Sequence, residues 1–490
     1  MREPRVVPYP ASVVLTGGEY PGDPAAPENR PETLRPDLYG PEEYKLVITP
    51  DHIEAEAGTE RGLFYALQTL RQLSGAGLAV PCMEIRDRPF FPYRGFLLDS
   101  ARHITGLGDI KALVDAAALF KMNAFHWHLT DDQGWRIPIE RYPLLTEKGS
   151  VRLSSDFGKV HTGKHYGGFY TKSELREIVA YCAERHIDVI PEIDMPGHMT
   201  AAISAYPELS CSGKQIPVQT RQGIFPDILC AGKDSTLETV YGILDEVLDI
   251  FPSKHIHIGG DEAPKDHWRE CPACQKRIAD EGLAGEEELQ RWFVAKICAY
   301  LREKGRSAIV WNESLKGGVP CNDMTVEMWM DRKSLCPAFA NAGGKMIVSP
   351  FFYYYMDYPY AMTPLKKTYR FNPFVKGLDE RGRSNVLGVE GSLWTEHIRD
   401  YDGLCMMAYP RFAAIAETGW TPPAQKNYID FEDRFEALSP LLAAQRIFCA
   451  PRKDWNPGPL KRIAGTCSFF ANNFGRGQPA RSGGAEEEKP

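Results

Sequence analysis

Two adjacent carboxylates, Asp261 and Glu262, follow a short segment in which Ile256 and Ile258 alternate with histidines. Such alternation is typical of a β-strand, and Gly259-Gly260 directly after it allow the backbone to turn sharply. Neighbouring carboxylates repel each other, so one of them is held towards its protonated form, which suits general acid chemistry. An acidic pair is also common at a helix N-terminus for dipole reasons. The strand and the two glycines favour the catalytic interpretation.

Other polar and aromatic side chains follow further short apolar segments. They are Asp99; Asp131 and Asp132; Glu192, Asp194 and His198; Trp311 and Glu313; Glu327 and Trp329; Tyr353, Tyr354, Tyr355 and Asp357; and Trp394 and Glu396, with Arg94 just before the first segment. Each has a structural alternative: a tryptophan can be core, Arg94 can bridge two domains, and His198 can cap a helix. Together they have the composition of a sugar pocket, in which pyranose C–H faces pack on aromatic rings and hydroxyls meet carboxylates.

The elements that must position these groups are eight short apolar strands, each followed by a helix or a long loop. We predict strands at Gly95–Asp99, Ala124–Leu129, Asp188–Glu192, His255–Gly260, Ala308–Trp311, Thr325–Met328, Met346–Val348 and Val386–Val389. Eight such units predict an α/β fold, a (β/α)8 TIM barrel, whose active site lies at the C-terminal ends of the strands. A doubly wound sheet is the alternative, but it usually has fewer units and a Gly-rich first turn.

Helical spacing of apolar residues predicts the intervening helices. They are Asp109–Lys121, Lys172–Arg185, Leu237–Phe251, Glu286–Lys304 and Cys405–Glu417. We divide the chain into a small α/β domain (1–88), the barrel (89–425), a helical extension that includes Tyr428–Leu442 (426–471) and a disordered tail (472–490). The long segments 131–170 and 194–234 are expected to shape the barrel mouth.

Composition limits the classes of partner. The chain has 490 residues and a net charge of -8, and this balance argues against a nucleic-acid-binding protein. It contains no apolar run of 18 residues, so we expect no membrane span. The first residues lack the apolar region of a signal peptide. Because Pro8-Tyr-Pro-Ala-Ser already resembles the opening of a folded domain, we expect a periplasmic or secreted protein whose signal peptide has been removed, with a cytoplasmic protein as the alternative.

The twelve cysteines are scattered, and Cys271-Pro-Ala-Cys274 is the only close pair. A zinc site needs four ligands, and no second CxxC or nearby histidine pair supplies the rest. We therefore assign no metal ligand and interpret the pair as part of a structural loop. A metal site that includes His267, or a disulfide, stays open. Cys211 and Cys230 flank a polar loop and could pair with each other.

Four motifs carry a resemblance that extends over nearly the whole chain, from about residue 5 to 470. They are Tyr93-Arg-Gly-Phe-Leu-Leu-Asp-Ser-Ala-Arg-His103, His126-Trp-His-Leu-Thr-Asp-Asp-Gln-Gly-Trp135, Pro191-Glu-Ile-Asp-Met-Pro-Gly-His198 and His257-Ile-Gly-Gly-Asp-Glu262. With these motifs the chain resembles the family 20 glycoside hydrolases, the β-N-acetylhexosaminidases. The resemblance implies a small α/β domain before a catalytic barrel. It also implies exo-acting, retaining removal of terminal β-linked GlcNAc or GalNAc, with the substrate's 2-acetamido group as nucleophile and an oxazolinium intermediate.

The resemblance also assigns roles to individual residues. Glu262 would be the general acid and base, and Asp261 would hold the acetamido N–H. Arg94 would bind the C3 and C4 hydroxyls, Asp131 and His198 would tune Glu262 with Asp194 close by, and Tyr355 would bind the acetamido carbonyl. The pocket walls would be Trp311, Trp329 and Trp394, with Asp357 and Glu396 on sugar hydroxyls. The partner would be an oligosaccharide or glycoconjugate with a terminal N-acetylhexosamine, and no cofactor is implied.

Three alternatives remain. A related disaccharide-releasing glycosidase, such as a lacto-N-biosidase, would differ only in loop shape. A metal-dependent amidohydrolase would explain His126-x-His128 and His255-x-His257, although that class carries its His-x-His on the first barrel strand. A sugar-binding protein without activity would have no need of Asp261 and Glu262. The sequence leaves open the choice between GlcNAc and GalNAc, the linkage, the natural glycan and the oligomeric state.

Overall fold

The computed structural model describes residues 4–26, 29, 33–75, 80–159 and 161–473. Its first unit is a five-stranded sheet in the order β1-β5-β3-β4-β2. The elements are β1 Ser12–Tyr20, β2 Thr33–Leu34, β3 Tyr44–Ile48, β4 Ile53–Ala57, helix α1 Glu60–Gly75 and β5 Val80–Asp87. Alternate residues of β3 are buried against α1, as the period of two predicts. This unit is the small α/β domain expected from the sequence.

The second unit is a closed barrel of eight parallel strands in the order β12-β13-β14-β15-β16-β17-β6-β7. The strands from here on are β6 Tyr93–Asp99, β7 Ala124–His128, β8 Thr130–Asp131, β9 Gly134–Trp135, β10 Val151–Arg152, β11 Tyr166–Gly167, β12 Asp188–Glu192, β13 His255–His257, β14 Ser307–Trp311, β15 Thr325–Met328, β16 Lys345–Val348 and β17 Val386–Leu393. The (β/α)8 barrel is thus confirmed. The short strands β8 to β11 form two hairpin ladders in the long segment after β7.

Helices surround the barrel, and most of them bury apolar residues against it, whereas the last described helix, α18 (Pro459–Asn473), has no buried residue. They are α2 Leu107–Leu119, α3 Leu144–Glu147, α4 Lys172–Ala183, α5 Thr200–Ala205, α6 Asp234–Ile250, α7 Asp266–Glu270, α8 Pro272–Asp280, α9 Glu286–Glu303, α10 Leu335–Asn341, α11 Phe351–Tyr354, α12 Leu365–Arg370, α13 Glu380–Ser384, α14 Tyr401–Ala408, α15 Arg411–Trp420, α16 Tyr428–Ala437, α17 Ser439–Ala444 and α18 Pro459–Asn473. Within the described part of the chain, none of these helices has the length and apolar character needed to cross a membrane.

Two helices predicted as continuous are each divided in two. The predicted helix Cys405–Glu417 is α14 and α15, with Tyr409-Pro410 between them. Proline has no N–H to donate to a preceding turn, so the chain re-enters a helix after Pro410. The predicted helix Tyr428–Leu442 is α16 and α17, with Leu438 between them and Pro440 in the first turn of α17. Of the predicted tail, Asn472 and Asn473 end α18, and 474–490 lie outside the described residues.

Candidate active site

A small cavity of about 150 Å³ opens at the C-terminal mouth of the barrel. Its lining residues come from the ends of β6, β7, β12, β13, β15, β16 and β17 and from the segments that follow them. They are Arg102, His128, Asp131, Asp194, His198, Asp261, Glu262, Trp329, Phe351, Tyr355, Asp357, Tyr358, Trp394 and Glu396. The cavity is smaller than the roughly 300–1,000 Å³ typical of pockets for drug-sized ligands. It therefore has the scale of a single small ring.

The turn after β13 places the two adjacent carboxylates at this mouth. Gly259 and Gly260 have φ values of +67° and +101°, and a Cβ on Gly259 would lie 1.5 Å from Oδ1 of Asp194. Glycine is therefore required at this turn for both conformation and space. Glu262 itself is left-handed, with φ of 43°. Such backbone strain in a residue with a side chain is costly and collects at functional sites.

The two carboxylates, Asp261 and Glu262, are partly shielded from solvent, with side chains 16% and 30% exposed. Burial, followed by the charge of Asp194, raises the pKa of Asp261 well above its usual range. Burial and the charge of Glu313 raise the pKa of Glu262. Because the carboxylates also repel each other, the pair favours holding a proton near neutral pH. This is the state that a general acid requires.

His198 connects these carboxylates to a buried aspartate. Its Nδ1 lies 3.2 Å from Oδ1 of Asp131, and its Nε2 lies 3.8 Å from Asp261 and 3.7 Å from Glu262. Burial opposes protonation of the imidazole, but Asp131 and Asp194 outweigh it and raise the pKa of His198 well above its usual range. A charged imidazolium therefore faces both carboxylates of the pair. Like Glu262, His198 is left-handed, with φ of 54°.

Arg102 is the arginine of the cavity. Its Nη2 lies 2.6 Å from Oδ2 of Asp131, and its Nη1 lies 3.8 Å from Oε1 of Glu396. Its Nε donates to Gln133 at 2.9 Å. These contacts hold the planar guanidinium at the rim of the cavity, where it can donate to ligand oxygens in a fork.

Arg94 was predicted in that role and lies elsewhere, so this prediction is wrong. The side chain is fully buried at the N-terminal end of β6, where its Nη2 lies 3.0 Å from Glu42 and 3.1 Å from the hydroxyl of Tyr65. Its guanidinium also stacks on Trp420, 5.0 Å from the ring centre. Arg94 thus joins the small domain to the closed bottom of the barrel. A residue at the N-terminal end of a barrel strand lies at the end of the barrel opposite to the active site.

Aromatic rings form the walls of the cavity. Tyr355 stacks on Trp329 with ring centres 6.2 Å apart and lies 5.9 Å from Trp394. Of the three consecutive tyrosines, Tyr355 is the one that lines the cavity, whereas Tyr353 and Tyr354 pack on Phe371.

Trp311 lies one layer deeper than the lining tryptophans. It is 1% exposed, and its Nε1 donates to Oε1 of Glu192 at 2.8 Å. Its ring centre lies 6.1 Å from that of Trp394. The structure therefore makes Trp311 a support beneath Trp394, not one of the side chains that line the cavity.

Several buried polar atoms of the lining have no protein partner within the described residues. They are Oδ1 of Asp261, Oδ1 of Asp357, Oε2 of Glu396, Nε1 of Trp329 and Nε1 of Trp394. Burial, followed by the charge of Glu396, raises the pKa of Asp357 well above its usual range. Buried polar groups are normally hydrogen-bonded. This set of acceptors and donors between aromatic rings fits a ligand that carries hydroxyl and amide groups.

A layer of histidines and glutamates lies directly below the cavity. Glu192 is its centre and contacts His128 and, at 2.8 Å, Nδ1 of His257. Burial disfavours charge on His128, but Glu192 and Asp131 raise its pKa to about 9. His126 lies between Glu192 and Glu390, at 3.2 and 2.8 Å.

This arrangement does not favour the amidohydrolase alternative. Despite its burial, the pKa of His126 is raised well above its usual range by Glu390 and Glu192. A charged imidazolium has no lone pair for a metal. The two histidines of the second His-x-His pair also have different surroundings. His255 contacts Ser307 at the start of its strand, whereas His257 contacts Glu192 inside the barrel.

Most of the predicted site residues therefore meet in one cavity. The lining includes Asp131, Asp194, His198, Asp261, Glu262, Trp329, Tyr355, Asp357, Trp394 and Glu396. Sequence reasoning missed Arg102, His128, Phe351 and Tyr358 as lining residues. Arg102 and His128 stand in quoted motifs at C-terminal strand ends, so the strand-end rule that located Asp131 could have found them.

Comparison with known proteins gives a consistent result. Residues 91–423 match "Glycosyl hydrolase family 20, catalytic domain", and residues 11–88 match "Glycosyl hydrolase family 20, domain 2". A β-hexosaminidase of Porphyromonas gingivalis is 41% identical over 397 residues, covering 76% of this chain and 50% of the relative. A β-hexosaminidase of Akkermansia muciniphila is 37% identical, covering 79% of this chain and 81% of the relative.

A solved structure has the same architecture. A crystal structure of a β-N-acetylhexosaminidase superposes with a TM-score of 0.85 at 34% identity, covering 93% of this chain and 98% of that one. The chain spans half the length of the Porphyromonas gingivalis relative and most of the length of the other two proteins. The family match includes both the barrel and the small domain before it, and the cavity lies within the matched catalytic region. The chain belongs to glycosyl hydrolase family 20.

Proposed function

We propose that this protein is an exo-acting, retaining β-N-acetylhexosaminidase that removes a terminal β-linked N-acetylhexosamine from an oligosaccharide or glycoconjugate. The observation that carries the proposal is the small aromatic cavity in which Asp261 and Glu262 share one imidazolium neighbour, His198. The names of the relatives support the same class of reaction.

The spacing of the two carboxylates supports retention of anomeric configuration. One oxygen of Asp261, one of Glu262 and a ring nitrogen of His198 all lie within 4.8 Å of one another. Inverting glycosidases hold their carboxyl groups about 6.5–9.5 Å apart to leave room for the attacking water. The Asp261–Glu262 pair has no such room. The second group must therefore act on the substrate itself.

Asp261 is suited to bind the 2-acetamido group of the sugar. Its Oδ1 is buried and has no donor among the described residues, so an amide N–H can bind there. That hydrogen bond would favour the charged form of Asp261 and leave the shared proton on Glu262. The bound amide oxygen would then attack the anomeric carbon, and the ionised Asp261 would stabilise the positive charge of the oxazolinium ring. Tyr355, which also lines the cavity, would donate its hydroxyl to the amide oxygen.

Glu262 would donate its proton to the departing glycosidic oxygen. The imidazolium of His198, 3.7 Å away, would stabilise the carboxylate that remains. In the second step this carboxylate would take a proton from water as the water opens the ring, which restores Glu262. The two reaction steps thus need Glu262 first protonated and then ionised, and the neighbouring positive charge of His198 assists the change between these two states.

Recognition of the sugar hydroxyls would fall to the opposite side of the cavity. Arg102 offers N–H donors there, and Glu396 and Asp357 offer the acceptors Oε2 and Oδ1, which have no partner in the described part of the chain. The small enclosed volume favours one terminal sugar over a disaccharide, which supports exo action. We therefore transfer to Arg102 the hydroxyl-binding role first predicted for Arg94.

The test is hydrolysis of p-nitrophenyl β-GlcNAc and β-GalNAc by the wild type, Glu262→Gln and Asp261→Asn. Loss of a general acid and base should lower kcat/KM by roughly 10²–10⁴-fold. Asp266→Asn, a 71%-exposed carboxylate on α7, is the matched control and should keep full activity. NMR of the first product should show the β-anomer, and a thiazoline analogue of the oxazolinium ring should inhibit competitively.

Other results would select an alternative. The α-anomer as first product would reject retention. Turnover of a p-nitrophenyl disaccharide with none of either monosaccharide substrate would indicate a disaccharide-releasing enzyme. Equal activity of the wild type and Glu262→Gln would remove Glu262 from the mechanism.

A further inference from the structure

Four cysteine sulfurs converge about the connection between α7 and α8. Cys211 and Cys230 come from the long segment between α5 and α6, and Cys271 and Cys274 come from the start of α8. All four Sγ atoms lie within 4.8 Å of one another. Three of the separations are 3.8 Å for Cys211–Cys274, 3.8 Å for Cys230–Cys271 and 3.6 Å for Cys230–Cys274.

These separations match a tetrahedral metal centre. A zinc–sulfur bond is about 2.3 Å long, and the edge of a tetrahedron is about 1.63 times its centre-to-corner length, so thiolates around zinc lie about 3.8 Å apart. Disulfide sulfurs lie about 2.05 Å apart and form pairs. Here Cys230 has two sulfur neighbours, as has Cys274. Because these sulfurs are not divided into separate pairs, their arrangement is that of four ligands around one metal ion.

The surroundings of the cluster are those of a closed site. Cys230 and Cys274 are fully buried, Cys271 is 6% exposed, and Cys211 is half-buried. Among the described residues, the nearby His267 is not grouped with the four sulfurs, and its Nδ1 lies 3.4 Å from Oδ1 of Asp227. Four soft thiolates with no open position are typical of structural zinc, whereas catalytic zinc keeps a water.

The chain is shaped to bring its two segments together here. A Cβ on Gly232 would lie 2.2 Å from the carbonyl carbon of Ala273, so only glycine permits this approach.

We propose that Cys211, Cys230, Cys271 and Cys274 bind one Zn²⁺ ion as four thiolates. Binding displaces the four thiol protons to solvent and involves no redox change. The ion would fasten the segment after β12, which carries Asp194 and His198, to the segment after β13, which carries Asp261 and Glu262. It would be a structural ion outside the reaction.

Short contacts connect the cluster to the active site. Leu229, next to Cys230, donates its N–H to the carbonyl of Pro196 at 3.0 Å and accepts from Nε1 of Trp268 at 2.9 Å. Pro196 is two residues before His198, and a Cβ on Gly197 would lie 3.0 Å from the carbonyl oxygen of Asp261. Loss of the ion should therefore lower thermal stability first and disturb the His198–Glu262 geometry as a consequence.

The decisive measurement is the metal content of tag-free protein purified under reducing conditions without chelator. Inductively coupled plasma mass spectrometry should find about one zinc per chain in the wild type. Cys230→Ser and Cys274→Ser should hold less than about a tenth of that. Cys182→Ala removes a buried cysteine of α4 outside the cluster and should keep the wild-type zinc content.

A second measurement uses the wild type alone, so it does not depend on whether a variant folds. Protein refolded with Co²⁺ should take up about one ion per chain and show the intense visible bands of tetrahedral cobalt thiolate. A zinc chelator should lower Tm and release about four additional thiols to a thiol reagent. Wild-type protein that carries no zinc and takes up neither ion after refolding would overturn the proposal. So would disulfides among these cysteines in freshly purified protein. Neither measurement requires hydrolase activity.

Discussion

The Nε2 atom of His198 lies 3.7 Å from Oε2 of Glu262, and both residues have a left-handed backbone. Two strained residues, one in the segment after β12 and one in the segment after β13, thus lie next to each other in the cavity lining. Interactions elsewhere in the fold maintain this arrangement, because Asp131 holds the other nitrogen of His198 and Gly259-Gly260 set the approach of Glu262.

Replacing His198 should shift the pH profile of the enzyme. Because the imidazolium lowers the pKa of Glu262 against the effect of burial, its removal in His198→Gln should raise that pKa. Activity requires protonated Glu262, so the alkaline limb of kcat/KM should move to higher pH. The rate should also fall, because the carboxylate left by proton transfer loses its charged neighbour. A limb that moves to lower pH would contradict this account.

Arg102 and Arg94 belong to the same motif, but replacing Arg102 should lower activity whereas replacing Arg94 should lower stability. Arg102→Ala should lower kcat/KM by roughly 10–150-fold, because each hydrogen bond to a charged group contributes about 1.5–3 kcal/mol. Arg94→Ala removes a fully buried guanidinium and its ion pair with Glu42, and should reduce stability by roughly 3–5 kcal/mol. The kcat/KM of the remaining folded enzyme should be nearly unchanged. Steady-state kinetics and thermal unfolding of both variants would check the pair.

Gly259→Ala should abolish activity. The added methyl group would lie 1.5 Å from Oδ1 of Asp194, in a backbone with φ of +67°. Gly282→Ala is a matched control, since φ there is +62° and no described atom lies within 4 Å of the added Cβ. It should cost only about 1–2 kcal/mol of backbone strain. Equal activity of the two variants would mean that the turn after β13 adapts to a side chain.

His128 should make stability depend on pH. Its folded pKa of about 9 lies above the roughly 6.5 of an unfolded histidine. Its contribution is therefore fully present below about pH 6.5, declines as pH rises and is lost above about pH 9. The difference between these values corresponds to roughly 3 kcal/mol.

Urea unfolding at pH 6, 7.5 and 9 would measure this contribution. The decline in the free energy of unfolding over this range should be smaller in His128→Gln than in the wild type. Identical slopes would show that His128 is neutral in the folded protein.

The barrel could be predicted from sequence because its strands are short apolar runs with regular intervening helices, a local signal. The same holds for most site residues, since polar groups after such strands have no role in core packing. Arg94 was misplaced because one motif carries arginines at both ends of one strand. The undivided helices at Cys405–Glu417 and Tyr428–Leu442 were wrong because apolar periodicity continues across Pro410 and Leu438.

The sequence by itself determined the fold class, the catalytic pair and most of the cavity lining, because each of these depends on patterns of residues that lie close together in the chain. Tertiary structure decided the features that depend on distances between remote segments. It brought Arg102 into the cavity, set Trp311 beneath Trp394 and gathered Cys211, Cys230, Cys271 and Cys274 at one point. Local spacing carries no information about such contacts, since they form only when the segments after β12 and β13 pack against each other.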